Sequence, residues 1–269
     1  MLINSALLKS TLKSSFLRDQ ITPPKTNKWL FITGTDTDVG KTVIATGLLA
    51  AGNKAGLRTA AIKPVAAGCE QHTAGSNEHA AGSNEQSAGL QNDDALQLQA
   101  ASSHQLPYQQ VNPVALKAAV APHIAAAEEG KTLNASRLVG YCRGLSLLPV
   151  DMLVVEGAGG WRVPLNPRET LADVAIELNC SVVIVVGLRL GCINHALLTA
   201  EAVRRDGLQI AGWVGNIIDP DMPRLDENIA TLKRLINEPC LGVVPRLPDL
   251  TPEQVSGYLS LPAEFESNV

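Results

Sequence analysis

Residues 29–42, WLFITGTDTDVGKT, limit most tightly what this chain can become. The first five are apolar, β-branched or aromatic, the composition of a buried strand. Gly34 ends that run. Gly40-Lys41-Thr42 then opens residues 43–50, VIATGLLA, whose apolar side chains recur at helical spacing. Strand, glycine-bounded loop, Gly-Lys-Thr and helix together make a phosphate-binding loop. Backbone N–H groups at a helix N-terminus favour anions. Gly40 permits close backbone approach, Lys41 can reach the β- and γ-phosphates, and the Thr42 hydroxyl suits Mg²⁺. The strict G-x-x-x-x-G-K-[ST] pattern wants glycine at position 35. Thr35 stands there and the glycine comes one place earlier, so the loop is a variant.

Such a loop belongs to a parallel α/β sheet, and the rest of the chain agrees. Strands are expected at 58–62, 151–156, 181–186, 210–217 and 241–244, with helices at 93–100, 135–148, 171–178, 194–205 and 224–236. Strand–helix alternation implies a doubly wound, mostly parallel sheet with helices on both faces. Apolar residues make up 45% of the 269 and aromatics only 3%, so Val, Ile, Leu and Ala must fill the core. That suits strands buried on both faces. Residues 107–123 hold Pro107, Pro113 and Pro122 and read as extended.

The expected organisation is an N-terminal extension over 1–28, one domain over 29–250, and a C-terminal tail over 251–269. The extension carries Lys9, Lys13 and Arg18 and lacks the long apolar stretch of a secretory signal; an organellar presequence is the alternative. Residues 68–89 are small and polar, with AGSNE at 74–78 recurring at 81–85, and read as a mobile surface loop. A net charge of −4 gives no case for nucleic acid or an anionic membrane. No apolar run approaches the roughly 20 residues of a membrane span. The five cysteines form no C-x-x-C pair, and reduced thiols point to a cytoplasmic setting.

In an open α/β sheet, ligands bind beyond the carboxyl ends of the strands. That rule gathers the loop after Gly34, Lys63, the run Glu156-Gly157-Ala158-Gly159-Gly160, residues 187–194, Asn216 and residues 245–247. Glu156 ends an apolar strand and can hold Mg²⁺, or cap a neighbouring loop. Asp94 is a second possible ligand, or an ordinary helix-start acid. Lys63 precedes Pro64 and can neutralise charge in phosphoryl transfer, or face solvent. The bare backbone of 157–160 can bind an anion, or simply turn. His195 reads as a helix cap.

The stretches FITGTDTDVGKT, TAAIKPVAAG, NDDALQLQ, NPVALKAAVAPHIAA, VVEGAGGW, VIVVGLRLGCINHALLT, AGWVGNIID and LGVVPRL, in that order, resemble the ATP-dependent dethiobiotin synthetases. They cover about residues 30–247. The resemblance implies a P-loop NTPase-like fold and a homodimeric ligase using ATP and Mg²⁺ on 7,8-diaminopelargonate and CO₂. It implies Lys63 and Lys41 as catalytic lysines and Thr42, Asp94 and Glu156 as Mg²⁺ ligands. ATP would lie on Asp38, Val39, Gly40, Lys41, Thr42, Val43, Asp94, Glu156, Gly157, Ala158 and Gly159, with Asn216, Pro245, Arg246 and Leu247 at the adenine. Substrate would meet Thr37, Lys63 and Ala67, and Leu190, Gly191, Cys192 and Asn194 of the partner subunit.

Ala67 stands where the family usually has Ser or Thr, a lost hydroxyl contact worth about 1 kcal/mol. Asp38 is a shortened form of an acid found in some relatives. A P-loop ATPase switch of the partition or septum-site type is the alternative; it expects a lysine early in the loop, where Thr35 and Asp36 stand. A cobyrinate-type amidotransferase would need a glutaminase domain, which has no room after residue 247. A dinucleotide oxidoreductase would not need Lys41 and Thr42.

Overall fold

The computed structural model describes residues 29–72, 89–246 and 251–266. The expected extension over 1–28, the repeat at 74–85 and Leu247 lie outside the described residues. The chain opens with β1 (Trp29–Gly34), α1 (Lys41–Lys54) and β2 (Thr59–Ile62). A short antiparallel hairpin follows, β3 (Glu70–His72) with β4 (Gly89–Gln91). Then come α2 (Asp93–Ala101), α3 (Tyr108–Val111), α4 (Pro122–Glu128) and α5 (Ala135–Gly144). The second half alternates: β5 (Met152–Gly160), α6 (Leu171–Glu177), β6 (Ser181–Leu188), α7 (Cys192–Arg205), β7 (Ile210–Ile217), α8 (Leu225–Leu235) and β8 (Cys240–Val244). It closes with α9 (Pro252–Ser256) and α10 (Ala263–Glu266).

Six strands form one sheet in the order β2-β5-β1-β6-β7-β8, and every pairing in it is parallel. All of β6 is buried, odd and even positions alike. Side chains alternate between faces along a strand, so both faces are covered there. The register does the positioning. Ile62 of β2 lies beside Val155 of β5, and Ile32 of β1 beside Glu156. Lys63, just past the end of β2, therefore stands level with Glu156 within β5 and close to the end of β1, at the crevice expected of a doubly wound fold. Asn216 of β7 sits between Gly187 and Val244 at the same edge.

Several expectations are corrected. Residues 107–123 are not extended throughout, because Pro107 and Pro122 stand at helix starts, where a fixed φ is favourable. Helix α5 ends at Gly144, four residues early, in a chain of turn hydrogen bonds. Residues 157–160 are not a turn but the end of β5, and Gly160 pairs with Gly34. Helix α7 begins at Cys192, because Gly191 at φ 95° caps it; His195 therefore lies inside the helix. Residues 251–266 pack against the domain through a few buried side chains rather than forming a free tail. Val255 and Phe265 are buried, and an added Cβ at Gly47 of α1 would lie 2.4 Å from Val255 Cγ1, so α9 sits directly on α1.

Candidate functional site

The phosphate-binding loop is anchored by Val39, which is buried, while Thr37 and Asp38 just before it are exposed. Asp38 has φ 55° and Gly40 φ 85°. Left-handed residues in such a turn help aim successive amides toward a single concavity. At Gly40 a Cβ would come within 2.2 Å of Asn216 Nδ2, so glycine is required by space as well as by φ. The Asn216 amide donates to Val39 O at 2.9 Å and braces the loop from β7.

Two ammonium groups meet here. Lys41 opens α1, is buried, and its Nζ donates to Asp36 O at 3.3 Å. Burial pushes its pKa below the ordinary 10.5, against the opposing pull of Glu156 and Asp94. Lys63 is also buried, not solvent-facing. Its Nζ lies 2.5 Å from Glu156 Oε1 and 2.7 Å from Asp94 Oδ2. Burial alone would lower its pKa, but the two carboxylates outweigh it and hold the pKa above 10.5. Burial likewise works to raise Asp94, and Lys63 reverses that, leaving the carboxyl below its usual range. Thr42 Oγ1 donates to the same Glu156 oxygen at 3.0 Å.

Glu156 is fully buried, and among the described residues its Oε2 has no hydrogen-bond partner. An orphaned carboxylate oxygen in that position is costly unless a ligand completes it. The donors around it are the oxygens of Thr42, Asp94 and Glu156, the kind Mg²⁺ prefers. No cluster of three His, Cys, Asp or Glu is present among the described residues. A cation here would thus rest on two carboxylates, a hydroxyl and the oxygens of its own ligand, which fits Mg²⁺ bound with phosphate. The Lys63 ammonium bridges the two carboxylates as a positive charge in the same setting.

Beside the loop lies an open pocket of about 330 Å³ lined by Asp38, Val43, Asn216, Ile217, Ile218, Pro245 and Arg246. It brings together the residues expected at an adenine, except Leu247. Arg246 donates to Ile218 O at 2.6 Å, which closes one wall. Gly159, at φ 64°, lies beneath Thr37: an added Cβ would be 3.4 Å from Thr37 Oγ1. Gly157 and Ala158 lead up to it within β5. Ala67 is half-buried in a segment fixed by Ala66 N to Val114 O at 2.9 Å. Leu190 is 85% exposed, and Gly191 and Asn194 are exposed beside it. Cys192 differs: its thiol is in the core and its N–H is bonded to Arg189 O at 3.0 Å.

Sequence reasoning missed two ties. Asp36 accepts from Arg189 across the gap between the β1 and β6 loops, and from the N–H of Thr37 at 2.8 Å. Trp161 and Arg162 both bond Asp206 at 2.7 Å, which pins the end of β5 to the end of α7. An acid in the phosphate loop and a basic residue just after a strand were the available signals for the first. The second pairs residues 44 and 45 apart, with no local signal.

A six-stranded parallel sheet, a phosphate loop at its crevice and a lysine held between two carboxylates define a P-loop nucleotide-binding α/β protein. The fold agrees with the MinC:MinD cell division complex of Aquifex aeolicus, at TM-score 0.51 and 15% identity over 86% of each chain. A family model described as an AAA domain matches residues 28–254. Among curated proteins, the ATP-dependent dethiobiotin synthetase BioD of Cellvibrio japonicus is 58% identical over 87% of this chain and 96% of its own. The enzyme of the same name from Pseudomonas aeruginosa is 53% identical over 86% and 95%. The chain belongs to the family of the ATP-dependent dethiobiotin synthetases.

Proposed function

We propose that this chain is an ATP- and Mg²⁺-dependent cyclo-ligase that joins 7,8-diaminopelargonate and CO₂ into the cyclic urea dethiobiotin. One amine of the diamine takes up CO₂ as a carbamate and loses a proton. A carbamate oxygen attacks the γ-phosphorus, the bond to ADP breaks, and a carbamic–phosphoric anhydride forms. The second amine attacks that carbonyl carbon and gives up a proton, phosphate leaves, and the ring closes. Kinship at more than half identity supports this reading over an ATPase switch, since the MinD likeness speaks to fold alone.

The observation that carries it is the Lys63 ammonium, buried beside the phosphate loop and paired with Asp94 and Glu156. Phosphoryl transfer is mostly positioning and charge neutralisation. Lys41 would meet the β- and γ-phosphates, and Lys63 the carbamate and γ-phosphate. Loop amides of residues 38–43 and 157–159 would line the phosphates, while Asn216, Pro245, Arg246 and Leu247 would receive the adenine. Thr42, Asp94 and Glu156 would hold Mg²⁺, which when bound neutralises phosphate charge. Thr37 and Ala67 would face the diamine. Leu190, Gly191, Cys192 and Asn194 at the start of α7 would receive its carboxylate across a homodimer interface. Cys192 would shape that edge rather than donate to it, because its thiol is buried and its N–H is bonded to Arg189 O. No helix among the described residues is long and apolar enough to cross a membrane; we place the enzyme in the cytoplasm, free of nucleic acid.

The test is product analysis with ATP, Mg²⁺, the diamine and ¹³C-bicarbonate. The expected product carries the label at a urea carbonyl, one per ADP released. ADP release without a labelled cyclic urea would overturn the assignment.

A further inference from the structure

Lys63 is gripped at its backbone as firmly as at its ammonium. Its N–H donates to Val111 O at 2.7 Å, and its carbonyl accepts from Asn112 Nδ2 at 2.8 Å. The same Nδ2 donates to Val114 O at 3.3 Å. Asn112 Oδ1 in turn accepts from the Tyr108 hydroxyl at 3.0 Å. The Tyr108 oxygen accepts from the backbone N–H of Asn92 at 2.7 Å. Asn92 is the N-cap of α2, its side chain accepting from Ala95 N at 3.3 Å, and the turn it caps carries Asp94. The chain of bonds from Asn92 through Tyr108 and Asn112 to Lys63 thus closes into a ring at the Lys63–Asp94 ion pair.

We propose that Tyr108 and Asn112 are positioning residues that set the reach of Lys63 and the placing of Asp94 relative to one another. This rests on the reading that Lys63 and Asp94 serve the nucleotide. Each link demands its own chemistry. Tyr108 must donate and accept at once, which only a neutral hydroxyl does. Burial pushes its pKa up to about 12, so it stays protonated through the working range. Asn112 must donate two protons and accept one, which an amide does and a carboxylate does not. Asn112 is 3% exposed, so a broken link is not repaired by water. The ring also spans chain segments that no local rule connects, since the hydroxyl of residue 108 joins the start of α2 to the end of β2.

Two near-isosteric variants separate this role from space-filling. Tyr108→Phe removes the hydroxyl alone. Asn112→Asp keeps shape but sets oxygen against the Lys63 carbonyl. The measurements are ¹³Cε NMR of labelled lysines, with the Lys63 signal assigned by its loss in Lys63→Arg, ADP affinity by calorimetry, and kcat with saturating Mg²⁺ and ATP. Both variants should move the Lys63 signal, leave the signal of exposed Lys54 in place, keep ADP affinity within about twofold, and lower kcat by on the order of 10²-fold, as an ångström-scale displacement does. Should Asn112→Asp fail to fold, Tyr108→Phe decides alone. An unmoved Lys63 signal in Tyr108→Phe overturns the proposal whatever happens to turnover. A moved signal with unchanged kcat overturns it equally. If the wild-type protein makes no cyclic urea, the proposed reaction falls, and the lysine spectrum by itself then judges the ring.

Discussion

Replacing Lys63 by methionine should destabilise the ligand-free protein heavily, and the structure says by how much. The lysine side chain is 6% exposed and its Glu156 partner fully buried, at 2.5 Å. Removing the ammonium leaves a buried carboxylate held only by the Thr42 hydroxyl, with Oε2 already unpartnered. Breaking a buried pair from one side costs about 3–5 kcal/mol. Asp94, 42% exposed, adds little because solvent screens it. Against a total stability of roughly 5–15 kcal/mol the loss is large but survivable. Its pH dependence follows from the signs. The Lys63 pKa is raised, so its contribution is complete below 10.5 and fades only as pH climbs through the higher folded value. The Asp94 pKa is lowered, so its contribution is complete above 3.8 and fades as pH falls through the lower folded value. The wild-type contribution of both groups is therefore complete across neutral pH. Urea unfolding at pH 7 without nucleotide measures it. Adding Glu156→Gln to Lys63→Met should recover most of the loss, since an amide needs no counter-charge. Millimolar Mg²⁺ should recover part of it in the single variant and none in the double. A Lys63→Met protein within about 0.5 kcal/mol of wild type, the scatter typical of an unimportant surface site, would refute the buried pair.

Three further outcomes are expected. Because burial holds Lys41 below 10.5, binding of Mg²⁺ and ADP should weaken on the alkaline side before that pH is reached; calorimetry across pH should show the limb moving upward in Lys41→Arg. Gly40→Ala combines a φ of 85° with a Cβ 2.2 Å from Asn216, so ADP affinity should fall by at least tenfold, a loss of about 1.4 kcal/mol, while far-UV circular dichroism is unchanged. Phe265→Ala, removing a ring 2% exposed, should cost about 3–5 kcal/mol in urea unfolding; a dispensable tail would cost nothing.

What could be read beforehand was whatever chemistry is local. Parallel strands buried on both faces are continuous apolar runs, so residues 210–217 were bounded correctly and residues 151–156 found as far as Glu156. The Gly-Lys-Thr turn announces itself by spacing. The misreadings come from residues with two uses. Proline stops helices but also starts them, which hid α3 and α4. Glycine ends strands but also lets one run on, which hid residues 157–160 of β5. Residues 251–254 carry a capping box, Thr251 with Gln254, that announces α9, yet their polar surroundings suggested a tail. The site was legible as a set of strand ends but not as a circuit. Lys63 lies 31 residues from Asp94 and 93 from Glu156; the β2–β5 register brings it to Glu156, and the docking of the start of α2 brings it to Asp94.

The strand order also explains why the site divides as it does. On one side of the crevice, β1, β2 and β5 deliver the phosphate loop, Lys63 and Glu156, all of them charge or backbone. On the other, β6, β7 and β8 deliver the start of α7, Asn216 and the Pro245–Arg246 wall, which have shape and hydrogen bonds to offer. Among the ties that cross the divide are the Asn216 amide to Val39 O and Arg189 to Asp36. Both end on the phosphate loop. In the proposed complex a base against Asn216 would meet the same amide that braces the turn at Gly40, and Arg189, just before α7, is the residue that holds Asp36. The wall proposed for the base and the loop proposed for the phosphates are thus tied to one another by side chains as well as by the sheet.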